Sequence, residues 1–149
     1  MVEIDIVDKI ADLVVVLVGA GIGWFIAQKL INATKHSAFD LRFTIAFAKT
    51  NMGAADLRPV EFTLKNSSTV QAYDVKLEIF FRSRIKQTIK TEYHKMEPYQ
   101  TIKDKSSVVT LSDITSDEFF NLVERFEVHY VTEYGYKRQF ISKTFTFDK

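Results

Sequence analysis

The sequence predicts a mainly β protein, in which one N-terminal transmembrane α-helix precedes an antiparallel, immunoglobulin-like β-sandwich of about seven strands. Two observations predict this class. An apolar run without charge occupies residues 13–27, and from Phe39 onward apolar and polar residues alternate in short segments separated by turn residues. We expect a short acidic segment at 1–9, the helix at 10–31, a linker at 32–38 and the sandwich at 39–149.

Composition excludes several classes of protein. The chain has 149 residues, of which 46% are hydrophobic and 26% charged, so global disorder is excluded. The net charge of +1 gives no argument for nucleic acid, and the lack of cysteine removes disulfides and thiolate chemistry. The three histidines fit no metal-ligand spacing. We therefore expect no catalytic centre, cofactor, metal, nucleic-acid partner or small-molecule substrate.

The transmembrane helix is predicted from its length. Residues 10–31 form a run of 22 with three polar members, and a helix of that length reaches about 33 Å, enough for a hydrocarbon core of about 30 Å. Asp12 and Lys29, with Trp24, mark the expected membrane boundaries. A signal peptide would begin with positive charge, but this chain begins with acidic residues. The buried helix of a soluble protein is the other alternative, although glycine and valine runs form helices poorly in water.

Small residues recur every fourth position inside this run, at Gly19, Gly23 and Ala27. Such a stripe lets two membrane helices approach closely, so we expect a homo-oligomer; the alternative is that glycine is simply common in membrane helices. Asp5, Asp8 and Asp12 would share a helix face. They suit the positive end of a helix dipole, and the alternative is an acidic ring in an oligomer.

The distribution of lysine and arginine predicts the orientation of the helix. Only Lys9 precedes it closely, whereas several basic residues lie in or after its last turns: Lys29, Lys35, Arg42 and Lys49. The positive-inside rule then places the C-terminal domain in the cytoplasm. An extracellular C-terminal domain is the alternative.

Alternation predicts the strands of the first half of the domain. Residues 39–47 and 60–65 are expected strands, with a loop at 50–56 between them. Residues 73–93 alternate for too long to be one strand, so we expect a hairpin or bend near Arg82–Arg84.

Turn residues predict the second half. We expect a break at 97–99, a turn at 104–107 and a short strand at 108–111. Thr115 and Glu118 match a capping box, which predicts a helical turn through residue 122. Residues 126–130 are the penultimate strand, Tyr134 and Gly135 the next turn, and 136–147 the last strand.

Three segments carry a resemblance to known proteins: VEFTLKN at 60–66, AYDVKL at 72–77 and FEVHY at 126–130. Together they resemble membrane-anchored, immunoglobulin-like sandwich proteins in general. The resemblance covers about three quarters of the chain and implies the sandwich fold. It implies no activity and no residue role.

Basic residues share the even face of the strands at 73–93: Lys76, Arg82, Arg84, Lys86 and Lys90. At roughly 6.6–7 Å spacing they would present a basic face to anionic lipid or to a partner. The alternative is a solvated sheet face with charges that protect its edge.

These features favour a non-enzymatic, single-pass membrane protein with a structural or assembly role. We expect it to sit in membrane lipid, to oligomerise through its helix and to contact a protein partner with its sandwich. Two alternatives remain: a surface filament (pilin-like) subunit with a helical core and an outer sandwich, and an oligomeric effector that perturbs membranes.

Overall fold

The computed structural model describes residues 2–44, 56–82, 85, 87–110 and 115–148, and for 2–9, 56–58, 110, 116 and 148 it describes the backbone alone. The chain divides into two compact units. One is N-terminal and ends at Lys35, and the other begins at His36.

The N-terminal unit is one α-helix, α1, at Val2–Thr34. It is longer at both ends than the predicted 10–31. Residues 2–9 are helical because acidic side chains near the start of a helix favour its positive end. At the other end the Thr34 hydroxyl donates to the carbonyl of Ile31 at 2.7 Å, within the last turn. The linker is therefore only residues 35–38.

The C-terminal unit is mainly β, with eight described strands and one short helix. The elements are β1 Phe39–Thr44, β2 Asp56–Asn66, β3 Ala72–Phe81, β4 Ile89–Met96, β5 Thr101–Thr110, α2 Ser116–Leu122, β6 Val123–Thr132, β7 Lys137–Ser142 and β8 Thr146–Asp148. They form two four-stranded sheets, ordered β5-β2-β1-β8 and β4-β3-β6-β7. Neighbouring strands are antiparallel except for the parallel pair β1 and β8.

Alternation places one side of each central strand in the core. In β1 the side chains of Phe39, Leu41 and Phe43 are buried, while those between them are not. The register pairs Leu41 with Leu64 and Phe43 with Phe62, so neighbouring strands bury the same face. The strands predicted at 60–65 and 126–130, and the part of the alternating stretch 73–93 that precedes its predicted bend, are confirmed by the same burial of one face.

Phe43 lies at the centre of an aromatic cluster that joins the first sheet to α2. Its ring centroid lies 6.5 Å from that of Phe62, 6.2 Å from Phe119, and 5.9 Å from both Phe145 and Phe147. Such separations are typical of favourable aromatic pairs. The short strand β8 is therefore held by its side chains as well as by its ladder with β1.

The turn predicted at 104–107 is wrong. Residues 101–110 form one strand that pairs with β2 from Lys65 to Asp56. Asp104 faces inward at this edge strand and accepts a hydrogen bond from the Tyr93 hydroxyl at 2.8 Å. Burial, together with this carboxylate, raises the pKa of Tyr93. A charged side chain that points inward at an edge strand keeps that edge from pairing with another chain. This role explains why the edge strand β5 contains a polar residue such as Asp104 on its inner face.

The single last strand predicted at 136–147 is also wrong. Two strands occupy it, β7 in the second sheet and β8 in the first. Between them the Ser142 hydroxyl accepts from the Thr144 amide at 3.0 Å and donates to its carbonyl at 3.1 Å. These two hydrogen bonds engage the Thr144 amide and carbonyl, which are then not available to pair with a neighbouring strand. The strand β7 therefore ends here, and the chain passes from the second sheet to the first.

Three further predictions can be compared with the structure. The capping box is confirmed, because the Thr115 side chain accepts from the Glu118 amide and the Glu118 carboxylate accepts from the Thr115 amide. The break between β3 and β4 and the turn at Gly135 are also confirmed. Residues 45–55 and 111–114, parts of the predicted first strand, loop and short strand, lie outside the described residues.

One end of the sandwich, here named the linker end, contains four described segments: 35–38, 67–71, 97–100 and 133–136. Hydrogen bonds tie it together. The Tyr130 hydroxyl accepts from the Ser37 amide at 2.8 Å and donates to the Ser37 carbonyl at 3.1 Å. The buried Asn66 amide nitrogen donates to the carbonyls of Val70 and Glu97 at 2.8 and 3.2 Å. Burial raises the pKa of Tyr130, which keeps its hydroxyl protonated as a donor.

Candidate functional site

Between residues 13 and 27 the surface of α1 is apolar on every side. All side chains from 10 to 31 are exposed, and the large apolar ones among them are between 51% and 70% exposed. A helix on a water-soluble domain normally has an apolar stripe and a polar face, whereas a helix that is apolar all round belongs in a core or a membrane. The stretch Ile10–Thr34 is long and apolar enough to cross a bilayer.

The small-residue stripe of α1 is open. A Cβ atom added at Gly19 or at Gly23 would meet no atom within 4 Å, and the same holds for Gly21. Residues 19, 23 and 27 lie along one face at the four-residue spacing of a helix, while Gly21 lies on the opposite face. The stripe is therefore accessible to a second helix.

The expected boundary residues lie at different heights along α1. Asp12 and Lys29 are exposed, and the Lys29 ammonium lies 4.8 Å from the centroid of the Phe25 ring. Trp24 is exposed and lies ten residues before the end of the helix. Asp5 and Asp8 belong to the helix, but their side chains lie outside the described residues.

The predicted basic face is only partly described, since Arg84 and Lys86 lie outside the described residues. Its described lysines pair with acidic residues on the outer face of the second sheet. The Lys76 ammonium lies 3.1 Å from the Glu92 carboxylate, and Lys90 lies 2.9 Å from Glu78. Arg82 is exposed and its backbone amide donates to the Leu122 carbonyl.

Further along the same outer face, the positive charge of Arg125 reduces the repulsion between two neighbouring carboxylates. Glu78 and Glu127 are directly opposite each other on β3 and β6. The Arg125 guanidinium donates to Glu127 at 2.8 Å and lies 4.1 Å from the centroid of the Phe80 ring. Its hydrogen bond lowers the pKa of Glu127. The described part of this face therefore alternates in charge.

The outer face of the first sheet carries a groove of about 510 Å³. Its lining includes three cationic side chains, one carboxylate and five threonines: Arg42, Lys65, Lys103, Asp40, Thr44, Thr63, Thr101, Thr144 and Thr146. The three cations and one carboxylate give a net charge of +2, which exceeds the +1 of the whole chain. The groove is a local positive surface.

The register explains how this groove forms. Arg42 of β1 pairs with Thr63 of β2, and Thr63 pairs with Lys103 of β5, so these three side chains form one row across the sheet. This surface was not predicted, because Lys103 lies next to the segment that was predicted to be a turn. The alternation around Arg42 and Lys65 is the signal in the sequence that could have indicated it.

Within the described part of the chain, no group of three or more histidine, cysteine or acidic side chains is arranged to hold a metal ion. The buried polar side chains of the described residues are Ser37, Asn66 and Thr132. The first two serve the hydrogen bonds of the linker end, and the Thr132 hydroxyl accepts from the Tyr136 amide.

Comparison with known proteins finds likeness only to solved structures. No family model and no curated protein matches the chain. The chain is similar to an X-ray structure of Northeast Structural Genomics Consortium target SoR45, with 11% sequence identity and a TM-score of 0.35. The match covers 76% of this chain and 85% of that chain.

Proposed function

We propose that the protein is a non-enzymatic, single-pass membrane protein with an assembly role, which self-associates through α1 and contacts a protein partner with its sandwich. The observation that carries the proposal is the exposed apolar surface of α1 over residues 10–31. In water this surface would oppose solubility, while in lipid it is the expected exterior of a membrane helix.

Self-association is the second part of the proposal. Between helices in lipid there is no hydrophobic driving force, so close packing at small residues supplies much of the attraction. The open stripe of Gly19, Gly23 and Ala27 supports such packing, because no atom of the described chain fills the space above either glycine.

We further propose that the sandwich is of the immunoglobulin-like kind. In chain order, constant-type domains place the first, second, fourth and fifth strands in one sheet and the third, sixth and seventh in the other. The orders β5-β2-β1 and β3-β6-β7 support this. Two features depart from the constant-type arrangement: β4 lies beside β3, and β8 runs parallel to β1.

The groove of the first sheet is the surface that best supports a partner-binding role. Lys65 and Lys103 have no ion-pair partner among the described residues, in contrast to Lys76 and Lys90 on the other sheet. A partner segment with carboxylates would complement the groove, and such complementarity chiefly improves specificity and the rate of association.

Replacement of stripe glycines tests self-association. In Gly19→Leu with Gly23→Leu, the leucines would hold two helices apart, so we expect cross-linked multimers of the full chain in membranes to fall about tenfold. The matched control is Gly21→Leu, which adds the same side chain on the opposite face and should leave cross-linking unchanged. An equal yield of cross-linked multimers from the unaltered chain, the double variant and the Gly21→Leu control would contradict helix packing at this stripe.

The proposed orientation places the sandwich in the cytoplasm. Lys29 and Lys35 at the C-terminal end of α1 support it through the positive-inside rule. Protease added to intact cells should leave the sandwich uncut, and protease added after the membrane is opened should digest it. Digestion of the sandwich on intact cells would reverse the orientation and would favour the filament subunit over the assembly protein.

A further inference from the structure

We propose that the linker end of the sandwich rests on the membrane interface, where Tyr99 contacts the lipid head groups. This inference rests on the proposed function, since it requires α1 to lie in the bilayer. It adds a second, peripheral contact between the protein and lipid, which nothing in the helix itself supplies.

The covalent connection between α1 and the sandwich is short. Only residues 35–38 separate α1 from β1, and a fully extended chain of that length spans at most about 18 Å. Residues 32–34 extend α1 by only about 4.5 Å beyond residue 31. The end of the sandwich that carries the linker is thus held close to the head-group layer.

Most tyrosines lie at the linker end. Four of the six lie within three residues of a linker-end segment and are at least partly exposed: Tyr73, Tyr99, Tyr134 and Tyr136. Of the thirteen phenylalanines, only Phe39 lies within three residues of such a segment. Tyrosine has an apolar ring with a polar tip and is enriched where proteins meet the membrane interface, whereas phenylalanine suits the core.

The backbone at Tyr99 adopts an unusual conformation within a β-turn. The Gln100 amide donates to the Glu97 carbonyl at 3.1 Å, so 97–100 is a β-turn with Pro98 and Tyr99 in its centre. Tyr99 has a φ of 59°, which is a conformation that favours glycine or asparagine at this turn position. A bulky side chain there is an unfavourable choice for stability alone, and such choices concentrate at functional sites.

The surroundings hold this turn in place. The Asn66 side chain donates to the Glu97 carbonyl at 3.2 Å, and the Asn66 backbone amide donates to the Gln100 carbonyl at 2.9 Å. Tyr99 itself is 58% exposed, and its hydroxyl has no partner among the described residues. A rigid turn therefore presents an exposed tyrosine ring on the end of the sandwich that the linker keeps near lipid.

Fluorescence quenching in lipid tests the contact, because Trp24 is the only tryptophan of the chain. The full chain carrying Trp24→Phe and Tyr99→Trp is placed in phosphatidylcholine vesicles. We expect a nitroxide on the lipid head group to quench it about twofold more than a control chain with Trp24→Phe and Ile141→Trp. Ile141 is a matched control because it is 54% exposed but lies in β7, near the opposite end of that strand from the linker end.

Iodide dissolved in the water should quench the Tyr99→Trp chain less than the Ile141→Trp control chain. Equal quenching of the two tryptophans by the lipid nitroxide would overturn the inference. Protection from iodide without quenching by lipid would mean that another copy of the chain covers Tyr99, which would overturn it as well.

Two further measurements separate this inference from the proposed function. A nitroxide on the acyl chains should quench Trp24 of the unaltered protein. If Trp24 is quenched but the tryptophan of the Tyr99→Trp chain is not quenched by the head-group nitroxide, only the interface contact is contradicted. If Trp24 is not quenched, the proposal that α1 lies in the membrane is contradicted, and the inference with it.

Tyr99→Gly should keep or raise the thermal midpoint of the sandwich, and a lower midpoint would indicate that Tyr99 serves packing instead.

Discussion

Phe43→Ala should lower the free energy of unfolding of the sandwich by about 3–5 kcal/mol. Phe43 is fully buried and contacts rings from three other elements, Phe62 in β2, Phe119 in α2 and Phe147 in β8. Its removal would leave a cavity where the first sheet meets α2. A domain of this size has a total stability of about 5–15 kcal/mol, so the loss is a large share of it.

Urea denaturation of the full chain in detergent micelles, followed by the circular dichroism of the sheets, measures this loss. The control is Ile141→Ala, which removes an exposed apolar side chain and should change stability by less than about 0.5 kcal/mol. A change below about 1 kcal/mol for Phe43→Ala would show that the aromatic cluster contributes little to the stability of the sandwich.

The second large effect concerns the helix. Val18→Arg with Ile22→Arg places two cations near the middle of the apolar stretch. Each arginine costs about 2.5–3.5 kcal/mol at the centre of a membrane helix, so insertion should become about 5–7 kcal/mol less favourable. We expect most of the variant to leave the membrane fraction on alkaline extraction.

The matched control is Val18→Leu with Ile22→Leu, which changes the same positions without adding charge. It should stay with the membrane as the unaltered chain does. If the arginine variant were extracted no more readily than the leucine variant, residues 18 and 22 would not lie in hydrocarbon.

Local patterns in the sequence were sufficient to predict the central strands of both sheets and the start of α2. Alternation located β2, β3 and β6 because these strands bury one face, and the capping residues Thr115 and Glu118 located the start of α2. Where a strand lies at a sheet edge, burial no longer dictates the pattern. Asp104 reads as a turn residue in sequence, but in the fold it faces Tyr93 across the open edge.

Features that depend on pairing between distant residues could not be predicted from sequence. The change of sheet at Ser142 preserves alternation on both sides, so β7 and β8 look like one strand. The groove depends on the register that aligns Arg42 with Thr63 and Lys103. The positive φ at Tyr99 likewise has no local signal, since the sequence gives no glycine there.

Alkaline extraction of the unaltered full chain tests the lipid residence of residues 10–31 most directly. We expect the protein to stay in the membrane pellet after carbonate treatment and to be released only by detergent. Recovery of the unaltered chain as a monodisperse species in detergent-free buffer would contradict the membrane helix, and with it the proposed orientation and self-association.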